Sequence, residues 1–161
     1  MSEDNLQQLI DRQAIIDTIQ SYAFGVDFRD WDLFRSVFTD EMEAHIGSPE
    51  AGPGVTTAEA WTERVRSGLS GYKGTQHFFS NFNINIDGGR ASTIVYFQAT
   101  HYLPNDQGDN HWTLAGYYNH DLVRTNAGWK IRNYTLNTVW TEGNYGLGAL
   151  AAQQWQAAQG K

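Results

Sequence analysis

The chain has 161 residues, 40% hydrophobic and 14% aromatic, enough for one domain with a real core and rich enough in rings to line an apolar pocket. A formal charge of −7, from 11 basic and 18 acidic residues with no Lys/Arg block, argues against nucleic acid and anionic membrane surfaces as partners. The absence of cysteine rules out disulfides and thiolate metal sites and fits a reducing cytoplasm; the start Met1-Ser2-Glu3-Asp4-Asn5 is unlike a signal peptide, and no apolar run approaches the roughly 18 residues of a membrane span.

In chain order, Leu6 to Phe28 carries apolar residues at Leu6, Leu9, Ile10, Ile15, Ile19, Tyr22, Ala23 and Val26, a helical spacing. Asp30 suits the N-cap of a short second helix, Trp31 to Phe38. Met42 to Ile46 reads as a short strand, and the Gly- and Pro-rich run Gly47 to Val55 as a loop at a pocket mouth. Thr56-Thr57-Ala58-Glu59 has capping-box form, with Thr56 as cap of a third helix from Thr57 to about Leu69. From Gly71 the period becomes two. Thr75 to Ile86 predicts a strand with Phe78, Phe82, Ile84 and Ile86 on one side and His77, Asn81, Asn83 and Asn85 largely on the other. Asp87-Gly88-Gly89 is a hairpin turn, and strands Arg90–Leu103, Asn110–Arg124 and Trp129–Trp140 complete an antiparallel meander. Residues 142–161 predict a short helix or a subunit arm belonging to the same domain as 1–141. The predicted fold class is α+β: three N-terminal helices in a curled antiparallel sheet, a cone whose interior admits a small apolar ligand.

Asp27 stands among Phe24, Val26 and Phe28, and an acid buried among apolar neighbours requires a partner. His77 is the candidate. A carboxylate bonded to one imidazole nitrogen sets the tautomer and leaves the other nitrogen as a base. The plainer alternative has Asp27 capping local backbone and His77 as a satisfied strand histidine. His101 shares parity with Val95, Phe97 and Ala99; it is either an interior general acid or an exposed residue at the strand end. Tyr22, about 140° round the helix from Asp27, is either an oxyanion-type donor or a packing residue. Phe24 and Phe97 are candidate apolar substrate contacts. Tyr118 and Asn137 are candidate polar ones, although Tyr118 with His120 suits a surface pair, and Asn133, Thr135 and Asn137 equally suit a solvated stripe. The histidines lack metal-ligand spacing, and no nucleotide- or flavin-binding loop and no Gly-x-Ser-x-Gly elbow is present, so no cofactor is expected.

The run Asp11-Arg12-Gln13-Ala14-Ile15 with Tyr22, then Val26-Asp27-Phe28-Arg29-Asp30-Trp31-Asp32, Gln76-His77-Phe78 and Gly128-Trp129-Lys130-Ile131 resembles the SnoaL-like branch of the nuclear transport factor 2-like superfamily over residues 6 to 140. Within it the chain looks most like scytalone dehydratase, hexachlorocyclohexane dehydrochlorinase and the bile-acid dehydratase, cofactor-free lyases built on an Asp–His pair. The resemblance places Asp27 and His77 as that pair, Tyr22 as the bile-acid enzyme's tyrosine and His101 as the second histidine of scytalone dehydratase. It also implies a homo-oligomer, trimer or dimer. The chain is thus expected to be a cofactor-independent lyase, most simply a dehydratase, for a small cyclic apolar substrate. The alternatives are an isomerase or polyketide-cyclase-type enzyme in the same pocket, and a non-catalytic small-ligand carrier in which Asp27 and His77 lie too far apart to bond.

Overall fold

The computed structural model describes residues 3–47 and 53–160. The elements are α1 (Glu3–Asp27), α2 (Trp31–Ser36), β1 (Phe38–Ile46), β2 (Gly54–Thr57), α3 (Ala58–Leu69), β3 (Gly74–Asp87), β4 (Arg90–Tyr102), β5 (His111–Thr125), β6 (Gly128–Gly143) and α4 (Leu147–Gln159). One six-stranded sheet runs in the order β2-β1-β6-β5-β4-β3. Its pairs are antiparallel except β1 with β6. Helix α1 packs on both β3 and β6, which β4 and β5 separate in the sheet. One straight helix meets both strands only if the sheet curls round it. The sheet does not close, and the space it encloses lies under β4 and β5.

The α1 stripe that faces this core is Asp11, Ile15, Ile19, Tyr22 and Val26, spaced four, four, three and four residues apart. Leu6, Leu9 and Ile10, which the apolar periodicity also counts, are about half exposed and lie off the core-facing stripe. Asp30 caps α2 by accepting the Leu33 N–H at 2.9 Å. Helices α1 and α2 then approach so closely that a Cβ at Gly25 would lie 2.7 Å from the Phe34 backbone nitrogen. Gly25→Ala is therefore expected to cost about 1–3 kcal/mol, the usual penalty of overpacking. Thermal denaturation reads this as a lowered midpoint; an unchanged Tm would contradict so tight a crossing.

The cap of α3 is Thr57, not Thr56: its hydroxyl accepts the Ala60 N–H at 3.1 Å. Thr56 is instead consumed in the short strand β2, paired with Met42. Strand β1 begins at Phe38, four residues ahead of the predicted start, since its charged opening Thr39-Asp40-Glu41 carries no apolar period. Residues 48–52 of the predicted loop lie outside the described residues. On β3 the inward face differs from the predicted one. Its register shifts between Ser80 and Asn83, with Asn81 at φ +51°, a left-handed conformation that asparagine tolerates. The bulge inverts the parity. His77 and Phe79 face inward before it, Phe82, Ile84 and Ile86 after it, and Phe78 is 58% exposed. The tail forms α4, which packs Leu147 and Ala151 against Tyr72 and Leu103.

Candidate active site

Asp27 is the last residue of α1, and His77 lies on the first inward positions of β3. The bulge is what lets His77 share the interior with Phe82 and Ile84 further along the same strand. Asp27 Oδ1 is 2.8 Å from His77 Nδ1, and Oδ2 accepts the His77 backbone N–H at 2.8 Å. A carrier that kept the two apart does not have this geometry. The side chains are 14% and 5% exposed. Burial acts to raise the Asp27 pKa. The hydrogen bond and charge of His77, its backbone N–H and the Thr75 hydroxyl outweigh burial, and the net shift is downward. An ionised Asp27 can only accept, so Nδ1 carries the hydrogen and Nε2 holds the lone pair.

Two further residues complete the support, and sequence reasoning passed over both. Thr75 donates its hydroxyl to Asp27 Oδ1 at 2.9 Å and accepts from Arg29 Nη1 at 3.1 Å. Arg29 also donates to the carbonyls of Val26 at 2.6 Å and Leu69 at 3.0 Å. Its φ of +60° ends α1 in the left-handed region usually taken by glycine. The guanidinium thus joins the ends of α1 and α3 to the start of β3. Burial lowers the Arg29 pKa, opposed by the Asp27 charge. Thr75 was legible as a same-face neighbour two residues ahead of His77; Arg29 was not, because its bonds span three elements.

His77 opens onto a cavity of about 290 Å³. Its walls are Tyr22 from α1, Trp61, Val65 and Leu69 from α3, Phe97 and His101 from β4, Trp112 and Tyr118 from β5, and Tyr134 and Leu136 from β6. Of the candidate residues, Tyr22, His77, His101, Phe97 and Tyr118 meet here. Phe24 does not: it points away from Tyr22 on α1, is 51% exposed and stacks on Phe28 at 5.9 Å. Asn137 does not line the cavity either. Its amide reaches the Tyr117 and Thr135 carbonyls, whereas Tyr134 and Leu136 are the residues of β6 that face inward. The polar stripe of β6 drew attention to the wrong parity.

The Tyr22 hydroxyl is 3.0 Å from that of Tyr134, with the Tyr118 ring 5.9 Å and the His77 ring 6.3 Å from its own. Burial raises the pKa of all three tyrosines, so each keeps its proton. His101 lies inside, 3% exposed, between the rings of Tyr72 and Trp112. Its Nδ1 is 3.3 Å from the Trp112 carbonyl, which must accept, so that nitrogen carries the hydrogen. Burial, then the nearby His77, lowers its pKa to about 4. At neutral pH the ring is uncharged and its N–H is engaged. With Nδ1–H engaged, His101 offers an acceptor at Nε2, and of the two places expected for it the structure has the interior one. Tyr118 and His120 are not a surface pair: they are 1% and 4% exposed and stacked at 5.4 Å. His120 bonds Thr93 at 2.9 Å outside the cavity wall, and burial lowers its pKa to about 3. Among the described residues no group of three His, Cys, Asp or Glu converges to hold a metal, and no helix is long and apolar enough to cross a membrane.

Comparison with known proteins adds relatives to this geometry. A SnoaL-like domain model matches residues 7–135. A protein of Penicillium crustosum described as terrestric acid biosynthesis cluster protein E is 27% identical over 149 residues, covering 86% of this chain and 90% of that protein. The Kfla4162 protein of Kribbella flavida superposes with a TM-score of 0.78 at 26% identity, over 89% of this chain and 98% of that one. A type 2 hexachlorocyclohexane dehydrochlorinase superposes at 0.74 and 21% identity, over 88% and 94%. A scytalone dehydratase-like protein of Novosphingobium aromaticivorans does so at 0.75 and 21%, over 86% and 90%. The last two likenesses concern the fold.

Proposed function

The chain belongs to the SnoaL-like domain family, and we propose that it is a cofactor-independent lyase of the dehydratase type, acting on a small cyclic, largely apolar substrate. The observation that carries this is the imidazole whose Nδ1 is bonded to a buried carboxylate and whose ring borders a 290 Å³ aromatic cavity. His77 Nε2 takes a proton from a carbon beside a carbonyl. The C–H electron pair becomes an enolate, stabilised by a hydrogen bond from the Tyr22 hydroxyl to the carbonyl oxygen. The enolate then expels a hydroxyl at the neighbouring carbon, which leaves as water with the proton returned by the His77 imidazolium. Asp27 stabilises that imidazolium while it lasts. His101 Nε2 accepts from a substrate hydroxyl and orients it. A role for the Penicillium relative in a biosynthesis cluster suits a small-molecule substrate.

The test is a panel of cyclic hydroxy-ketones and polycyclic alcohols. Thermal shift identifies binders, since a ligand at 100 times its Kd stabilises by about 2.7 kcal/mol. Mass analysis of the products then identifies the reaction. A product lacking one water supports the proposal. A product isomeric with its substrate transfers the same proton abstraction to an isomerase. Binding without turnover across the panel leaves a carrier and defeats the lyase assignment.

A further inference from the structure

Among the described residues the cavity wall holds one Lys, Arg, Asp or Glu, and nothing in the proton abstraction uses it. Arg64 shares a face of α3 with Trp61, Val65, Gly68 and Leu69, at offsets of three and four residues, and all five line the cavity. An amphipathic stripe facing an aromatic chamber calls for an apolar side chain at that place. Arg64 also has no carboxylate partner among the described residues, whereas Arg66 pairs with Glu63 and Arg35 with Asp40 on the surface. Among the described residues no carboxylate lines the cavity, because Asp27 stands behind His77.

Gly68 supplies a second, independent observation. It lies one turn beyond Arg64, within α3, and glycine is the poorest helix former after proline. Its backbone does not require glycine: a Cβ there would meet nothing within 4 Å. Its missing side chain leaves room beside Arg64. Burial marks the same place as the entrance, since Arg64, Gly68 and Ile46 are the exposed members of the wall while Trp61, Tyr118 and His101 are buried.

We propose that the substrate is an organic acid, a carboxylate joined to a compact ring system, whose anionic group is held by Arg64 at the mouth while its ring lies on the aromatic wall toward His77. The guanidinium fork matches a carboxylate in two hydrogen bonds. A volume of about 290 Å³ is at the small end for ligand sites, so the acid is compact. This proposal rests on the cavity being the substrate site, not on which bond is broken there.

The experiment measures binding, by calorimetry at low salt, of benzoate, cinnamate and 2-naphthoate and of their primary amides. The wild-type protein is expected to bind each acid about 2–5-fold more tightly than its amide, the range of a partly exposed charge pair. Arg64→Gln is expected to abolish that ratio by weakening the acids alone, and Arg64→Lys to retain part of it. Gly68→Leu is expected to weaken acid and amide together by narrowing the entrance. Equal binding of acids and amides, a ratio that survives in Arg64→Gln, tight binding unaltered in Gly68→Leu, or no binding of any acid would overturn the proposal. Turnover is read separately on the hydroxy-ketone panel, because these acids carry no group to eliminate; failure there counts against the lyase and not against the anion site.

Discussion

His77→Ala is expected to lower kcat by about 10²–10⁴-fold, the contribution of a positioned general base, with far-UV circular dichroism and substrate binding little changed. Asp27→Asn is expected to fall in the same range for a different reason. The amide can donate to Nδ1, which reverses the tautomer and turns the N–H toward the substrate carbon. It also removes the charge that stabilises the imidazolium. Thr75→Val keeps the carboxylate and deletes one of its donors, so a smaller loss, about 3–10-fold, is expected from one hydrogen bond of about 1 kcal/mol. The graded order alanine at 77 and asparagine at 27 below valine at 75 is the signature of a base held by an acid that is itself held. Against the upward push of burial, chiefly His77 holds the Asp27 pKa below the ordinary carboxylate value, which favours the ionised form the mechanism needs. Near-normal kcat in either Asp27→Asn or His77→Ala would remove the pair from the mechanism.

The second large effect concerns stability at the far end of α1. Asp11 is 5% exposed, yet charged. It pairs with the Arg124 guanidinium through both oxygens and accepts the Trp129 indole N–H at 3.2 Å and the Gln7 amide at 3.2 Å. Arg124 in turn lies 4.7 Å over the Trp129 ring. The Arg124 hydrogen bonds are the main cause holding the Asp11 pKa at about 2 against an ordinary 3.8. At about 1.4 kcal/mol per pKa unit this corresponds to about 2.5 kcal/mol. Solvent at Arg124, whose side chain is 38% exposed, reduces that to about 1–2 kcal/mol. A depressed carboxylate pKa stabilises the fold fully above its unfolded value. The contribution is lost as pH falls from about 3.8 through about 2. Asp11→Asn is therefore expected to lower stability by about 1–2 kcal/mol at pH 7 and to flatten the decline between pH 4 and 2. Urea denaturation across that range reads both. Equal slopes for wild type and variant would show that Asp11 is not the group being titrated.

What the sequence determined by itself is local. The Asp30 cap is chemistry within four residues, and the Gly88-Gly89 turn that pairs Asp87 with Arg90 is chemistry within two. The parity of β4, which carries Val95, Phe97, Ala99 and His101 to one face, follows from the two-residue period of an uninterrupted strand. The need of Asp27 for a partner was also legible, because the cost of burying a charge does not depend on the fold. His77 was the candidate partner from the residues, and the family resemblance pointed to the same pair.

Tertiary structure decided whatever depends on which element arrives next to which. The bulge at Asn81 reverses the inward face of β3, and a period-two pattern contains no mark of where it is broken. The parallel pairing of β1 with β6 joins residues about 90 positions apart, which no local preference encodes. The protonation of His101 follows from the amount of water that Tyr72 and Trp112 exclude, and the use of Arg29 from three chain ends that converge only in the folded state. A side chain's type and period are properties of its neighbours in sequence. Its charge state and its partners are properties of its neighbours in space, and those exist only once the sheet has curled round α1.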